Sequence, residues 1–145
     1  MSKTKTLSKI LKLKDSKKKE IEIEVKKASD RVDEEKTKLT NLERDYSETL
    51  RCFAEINAQG RMDVCSINSY YNFFSRIHGK IDEQKKVHSQ REDELATLKN
   101  TLVSAHKDKR VIELLNEKTV KRDRKEKADY EQKEADFFTM VRKMR

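Results

Sequence analysis

Apolar residues recur along the chain in steps of three and four, the spacing of a helix that packs as part of a coiled coil. Residues at this spacing alternate between positions a and d of a heptad, so one face of the helix is apolar along its whole length. The first frame of such positions contains Leu7, Leu11, Ile21, Val25, Ala28, Val32, Leu39, Leu42, Tyr46, Phe53 and Ile56. The second frame contains Ile67, Tyr70, Phe74, Ile77, Ile81, Leu95, Leu98, Leu102, Ala105 and Ile112, and continues more weakly through Tyr130, Phe137 and Met140. Each frame predicts one long amphipathic helix.

The segment NAQGRMDVCS, residues 57–66, separates the two frames. Gly60 is a typical residue for ending a helix, and Asp63 and Ser66 are candidate caps for the start of the next one. The sequence therefore predicts a helix over about 5–57, a turn over about 58–65 and a helix over about 66–142, all within one coiled-coil domain of residues 1–145.

A short connection between two amphipathic helices makes them antiparallel neighbours. Placing Ile56 beside Ile67 also brings Phe53 beside Tyr70, and the same register places position 7 beside position 116. The predicted fold class is all-α, with two long helices in an antiparallel coiled-coil hairpin and a longer C-terminal helix. About 30 residues of that helix are expected to extend past their partner.

The composition supports this prediction and limits the function. The chain has no proline, no tryptophan, two glycines and 43% charged residues, and no run of 18 apolar residues that could cross a membrane. A cytoplasmic protein is expected, with Cys52 and Cys65 as free thiols. A two-helix seam encloses no pocket, so we expect no enzyme activity, no catalytic residue, no metal and no cofactor.

The positive charge lies near the two chain ends. Residues 1–20 carry +6 and residues 106–145 carry +4, whereas residues 21–105 carry −2. Lys14, Lys18 and Lys109 fall on seam positions, where ammonium groups are expected to weaken helix pairing. This end could receive an acidic or ring-shaped protein partner, and nucleic acid is the rival interpretation.

Four aromatic residues cluster in the segment SYYNFFSRI, residues 69–77. Tyr70 and Phe74 fall on d and a and are expected in the seam. Tyr71 and Phe73 fall on e and g, at the edges of the seam, where they either widen the packing or anchor a partner. Elsewhere in the seam, His88 is expected to face Glu35 in a polar layer that fixes the register.

Four segments together resemble the FliJ family, a soluble component of the flagellar type III export apparatus. They are LSKILKLKDSKKKE at 7–20, the series Tyr70, Phe73, Ile77 and Ile81, VIELLNEK at 111–118, and DYEQKEADFF at 129–138. Their order, their spacing and the length of the chain match the family across nearly the whole sequence. The resemblance implies a stalk-like antiparallel coiled coil, similar to the γ subunit of rotary ATP synthases.

The resemblance also implies partners, namely a hexameric export ATPase (FliI-like), an export gate protein (FlhA-like) and export chaperones. It implies a cytoplasmic location at the flagellar base, with membrane association only peripheral and through the apparatus, and no nucleic acid as partner. The residues expected to contact the gate are Tyr46, Tyr71, Phe73 and Ile77. Those expected to contact the ATPase are Leu7, Leu11, Lys14, Lys18, Tyr130, Phe137, Phe138 and Arg142. The alternatives are a basic coiled coil that binds nucleic acid and a purely structural homo-oligomeric coiled coil.

Overall fold

The structure is a computed structural model that describes residues 2–144. It contains two helices, α1 (Ser2–Ala58) and α2 (Val64–Lys143), and no strand within the described residues. Long runs of Lys, Glu and Leu favour helix, and without proline nothing removes a backbone donor from either element. The predicted all-α hairpin with a longer C-terminal helix is confirmed.

Gly60 ends α1 as predicted. Its φ of 67° lies in the left-handed region, which a residue with a side chain adopts only at a cost. The Gln59 amide donates to the Glu55 carbonyl at 3.3 Å, and the Gly60 amide donates to the Asn57 carbonyl at 3.1 Å. These bonds satisfy carbonyl groups that the end of a helix leaves without partners.

Asp63 caps the start of α2. Its Oδ1 accepts a hydrogen bond from the Ser66 amide at 2.7 Å, and its carbonyl accepts one from the Ile67 amide at 3.1 Å. The bonds from Ser66 hold the pKa of the Asp63 carboxyl below its ordinary value, because they stabilise the charged form. Of the two candidate caps, Asp63 is the capping residue, and Ser66 supplies the amide whose hydrogen bond it accepts.

The predicted heptad frames match the pattern of burial. On α1, all the a and d positions from Thr4 to Ile56 are buried or half-buried, including those occupied by polar residues. On α2 the same holds from Ile67 to Asp123. The most deeply buried side chains are Ile21, Ala28, Ile77 and Ile81, each no more than 8% exposed.

Contacts divide the chain into two compact units. The terminal unit comprises Met1–Ile21 and Thr101–Arg145, and the turn unit comprises Glu22–Asn100. Both helices contribute to each unit. That the whole chain acts as one domain stays a prediction.

Contacts inside each unit give the predicted register. In the turn unit, the ring centroids of Phe53 and Tyr70 lie 5.2 Å apart. In the terminal unit, Lys109 Nζ donates to Asp15 Oδ1 at 2.7 Å, beside position 14, which the register places opposite Lys109. The side chains of α2 are exposed from residue 124 to 140, so about 20 residues of this helix extend past α1. This segment is shorter than predicted, because α1 begins at Ser2 and shields α2 as far as Asp123.

The polar layer in the turn unit differs from the prediction. Glu35 is bonded by Gln84, whose amide donates to the Glu35 carbonyl at 3.0 Å and also to the Glu35 carboxylate. His88 instead has its Nε2 3.2 Å from Glu92 Oε1, one turn along the same helix. Gln84 takes the place expected for His88, because its amide group reaches both the backbone and the side chain of Glu35. This bond, opposed by partial burial, keeps the pKa of the Glu35 carboxyl below its ordinary value.

Candidate protein-binding surfaces

Phe74 is the centre of the aromatic cluster in the turn unit. Its ring centroid lies 5.7 Å from that of Tyr46, 5.9 Å from Phe53, 6.3 Å from Tyr70 and 5.9 Å from Phe73. Most of these contacts are edge-to-face or tilted, which the ring quadrupoles favour. Packing between the two helices therefore explains why several of these aromatic residues are together.

Tyr71 and Phe73 lie on opposite edges of the seam. Two residues along an α-helix are about 200° apart, so positions e and g face opposite ways. Tyr71 is 63% exposed, and its ring centroid lies 6.2 Å from that of Phe53. Phe73 is half-buried and lines a groove of about 190 Å³ on the other edge. The lining residues are Leu42, Asp45, Phe73, Arg76, Ile77 and Lys80.

The other two residues expected at the gate contact, Ile77 and Tyr46, pack against the seam. Ile77 is 4% exposed and belongs to the core. Tyr46 is half-buried between Phe74 and His78, with ring centroids 4.9 Å from His78. Tyr71 is thus the exposed ring of this set, Phe73 lines a groove together with Ile77, and Tyr46 packs against Phe74.

The four residues of α1 expected at the ATPase contact lie along the seam of the terminal unit. Leu7, Leu11, Lys14 and Lys18 are all half-buried. Their shielding follows from their a and d positions, which place them against α2. The accessible surface of this unit is therefore built mainly by other residues.

Lys109 has an ionic partner on the facing helix, which the sequence interpretation did not include. Its Nζ donates to Asp15 Oδ1 at 2.7 Å and lies 3.7 Å from Glu113 Oε1. The bond to Asp15 raises the pKa of the Lys109 ammonium. Hydrogen bonds from Lys109 and Lys19 lower the pKa of the Asp15 carboxyl. Asp15 lies at e, next to the seam, so its carboxylate can reach a lysine on the facing helix.

The extended part of α2 exposes the remaining residues expected at the ATPase contact. Tyr130 is 70%, Phe137 60% and Phe138 56% exposed, and Arg142 is also exposed. The ring centroids of Phe137 and Phe138 lie 6.0 Å apart. Where this part begins, a groove of about 650 Å³ opens between the two helices. It is lined by Thr4, Lys5, Val120, Asp123, Arg124, Glu126 and Lys127.

Apolar exposure and positive charge are both concentrated in the terminal unit. Ten of the fourteen large hydrophobic side chains that are strongly exposed belong to it, although it has fewer residues than the turn unit. It carries 21 Lys and Arg against 11 Asp and Glu, a net charge of +10, whereas the turn unit carries −2. A surface that is both apolar and charged is typical of one that meets a partner.

Two features of the terminal unit were missed by the sequence interpretation. One is the bond between Asp15 and Lys109. The other is a set of exposed apolar residues off the seam, Leu13, Val111, Leu114 and Leu115. The signal for these was present, because the run VIELL holds four apolar residues where the frame requires only Ile112.

Across residues 2–144, no group of three or more His, Cys, Asp or Glu side chains is arranged to hold a metal ion. Neither helix, over its described length, has a stretch long and apolar enough to span a bilayer.

Comparison with known proteins gives one match. A family model described as flagellar FliJ protein matches residues 2–145, essentially the whole chain. No curated protein and no solved structure matches the chain.

Proposed function

The chain belongs to the family of flagellar FliJ proteins, and on that premise we propose that it is the non-enzymatic stalk and coupling component of the flagellar type III export apparatus. Membership makes the protein a component of this apparatus. The proposed partners are the hexameric export ATPase, the export gate protein and export chaperones. The proposed location is the cytoplasmic face of the inner membrane at the flagellar base.

The ATPase part of the proposal rests on one observation: α1 shields the side chains of α2 only as far as Asp123. Beyond it α2 continues with Tyr130, Phe137 and Phe138 exposed, on a unit that carries +10. The central opening of a hexamer can hold a helix end through a few apolar contacts. The cationic field speeds docking to an acidic ring, and this contribution weakens as salt rises.

The gate part of the proposal rests on Tyr71 and Phe73. Tyr71 is exposed and Phe73 is half-buried at the rim of a groove. Accessible aromatic side chains are common anchors of protein interfaces, because they bury a large area at a low cost in conformational entropy. Ile77 lines the same groove as Phe73, and Tyr46 packs against Phe74, which contacts Phe73.

Stimulation of the purified export ATPase tests which unit enters the ring. Replacing Phe137, Phe138 and Met140 together with Gln keeps the charge and removes the exposed apolar surface of the tail. We expect stimulation to fall at least about tenfold, the loss typical of an interface anchor. Deleting residues 137–145 should abolish it.

The matched control changes the other unit. Replacing residues 58–62 with Gly and Ser, while keeping Asp63 as the cap of α2, should leave stimulation intact. If stimulation survives the tail changes but is lost when the turn is replaced, the turn unit enters the ring and the proposed assignment is reversed.

A further inference from the structure

The exposed apolar residues off the seam form one surface, which we name the outer strip: Leu13, Val111, Leu114 and Leu115. They are 70%, 55%, 49% and 46% exposed, respectively. On α2, residues 111, 114 and 115 follow the spacing of neighbours on one helical face. That face points away from the seam, since the seam residue of this segment is the half-buried Ile112.

Leu13 joins the strip from α1. It lies one turn before Lys17, which lines a groove together with Ser104 and Asp108 of α2. Asp108 in turn lies three residues before Val111, on the same edge of α2. The two helices therefore contribute to one side of the terminal unit, and the outer strip borders the groove between them.

Cations extend the strip at both ends. Lys107 lies one turn before Val111, and Lys118 and Arg122 lie one turn and two turns after Leu114 and Leu115, so all three follow the same helical face. All three are exposed, and none forms an ion pair with another residue in the 2–144 range. Among residues 107–122 of α2, one acidic side chain, Asp108, is exposed on this edge, and the three cations outnumber it.

We infer that the outer strip binds an amphipathic helix of a partner protein whose apolar residues are bordered by Asp and Glu. A helix laid along the groove covers Leu13 from one side and the α2 residues from the other, as in recognition of a helix by a groove. Its carboxylates meet Lys107, Lys118 and Arg122. A second copy of this chain fits poorly, because two such surfaces would bring the same cations together.

This surface goes beyond the proposed ATPase contact, which uses the tail of α2. The strip also differs from a membrane-binding face, because it has no aromatic anchor and includes residues of two helices. The occupant that fits its shape and charge is a single acidic helix.

The test uses two synthetic peptides of about 18 residues, or five helical turns. Both carry Leu at every third and fourth position, and the remaining positions are Glu in one peptide and Lys in the other. Fluorescence anisotropy measures their binding to the full chain at low and high salt. We expect the Glu peptide to bind and the Lys peptide not to bind.

Replacing Val111, Leu114 and Leu115 together with Gln should weaken binding of the Glu peptide at least about tenfold, as loss of central anchors does. The matched control replaces Ile23, Leu50 and Val64, exposed apolar residues of the turn unit, with Gln. The control should change the affinity less than about twofold, because surface changes remote from an interface have small effects. Equal losses in both variants would overturn the inference.

A second pair of variants separates charge from apolar contact. Replacing Lys107, Lys118 and Arg122 with Gln should weaken binding about threefold or more and reduce its salt dependence. Replacing Lys26, Lys36 and Arg51 of the turn unit removes the same charge and should have little effect. If both sets act equally, the peptide responds only to net charge and the strip is not its site.

Two further measurements cover the rival occupants and the proposed function. Sedimentation equilibrium showing a dimer that the Val111, Leu114 and Leu115 variant disrupts would overturn the inference in favour of a second copy. Strip-dependent binding to phosphatidylserine vesicles, without binding to the Glu peptide, would overturn it in favour of a membrane. Deleting residues 137–145 should leave peptide affinity unchanged, so failure of the ATPase proposal and failure of this one are distinguishable.

Discussion

The turn unit and the terminal unit are both built on the two heptad frames but place their apolar side chains differently. In the turn unit the aromatic residues face one another across the seam, and seven of the eight ring pairs of the described residues lie there. In the terminal unit the single ring pair, Phe137 with Phe138, is exposed. The same residue types therefore support packing in one unit and remain available for contact in the other.

The polar residues of the seam follow the same division. In the turn unit the neutral amide of Gln84 donates hydrogen bonds to both the backbone and the side chain of Glu35. In the terminal unit the seam contains lysines, and the charge of Lys109 is balanced by Asp15. A net charge of +10 destabilises the terminal unit through repulsion between its cations. The ion pair between Asp15 and Lys109 offsets part of this repulsion, whereas the turn unit, at −2, has little repulsion to offset.

The largest expected difference between the units is in stability. Phe74→Ala removes a half-buried ring that contacts four others, and it should lower the free energy of unfolding by about 2–4 kcal/mol. Phe137→Ala makes the same chemical change on an exposed residue and should cost less than about 0.5 kcal/mol. Urea denaturation followed by circular dichroism measures both. Similar losses would show that the tail is also packed, which would remove the contrast between the units.

A second prediction concerns binding to the export gate protein. Tyr71→Ala and Phe73→Ala should each weaken binding about tenfold if both rings are anchors. Because the rings lie on opposite edges of the seam, the two losses should add in the double variant. Tyr71→Ala should leave the melting temperature nearly unchanged, since Tyr71 is 63% exposed.

Phe137→Ala is the control for the gate measurement and should not change binding. If only one of Tyr71→Ala and Phe73→Ala weakens binding, the gate contact is restricted to the edge that carries that residue. Loss from Phe137→Ala equal to that from Phe73→Ala would place gate binding in the terminal unit, contrary to the proposal.

The sequence predicts the hairpin well because its signals are local and repeated. Steps of three and four residues place the seam, and Gly60 and Asp63 provide the chemistry of the turn. The contacts of polar residues were harder to predict. A heptad position places Glu35 opposite His88, but only three-dimensional geometry shows that the longer amide side chain of Gln84 reaches it. Likewise, a frame that describes one face of a helix cannot describe residues such as Leu114, which lie on another.

The two glycines of the turn unit should respond in opposite directions to the same substitution. Gly60 has a φ of 67°, so Gly60→Ala should lower the free energy of unfolding by about 1 kcal/mol. Gly79 lies inside α2, and a Cβ added there meets nothing within 4 Å. Gly79→Ala should therefore raise the free energy of unfolding by about 0.5–1 kcal/mol. Thermal melting checks both, and a loss at Gly79 would indicate that its helix face is covered by something other than solvent.

The smallest expected effect, and the one most specific to the terminal unit, is the pH dependence of the pair between Asp15 and Lys109. Asp15 has a lowered pKa, so its contribution is fully present above its unfolded pKa of about 3.9 and is lost as pH falls through the still lower folded pKa. Lys109 has a raised pKa, so its contribution is present below about pH 10.4 and is lost as pH rises through its folded pKa.

Asp15→Asn should therefore lower the melting temperature between about pH 5 and pH 10, and the difference from the unchanged protein should disappear in stronger acid. Lys109→Gln should lower the melting temperature over the same range, and the double variant should lose less than the sum of the two, because the residues are in direct contact. A difference that stays constant from pH 7 down into strong acid would show that Asp15 acts through packing and not through its charge.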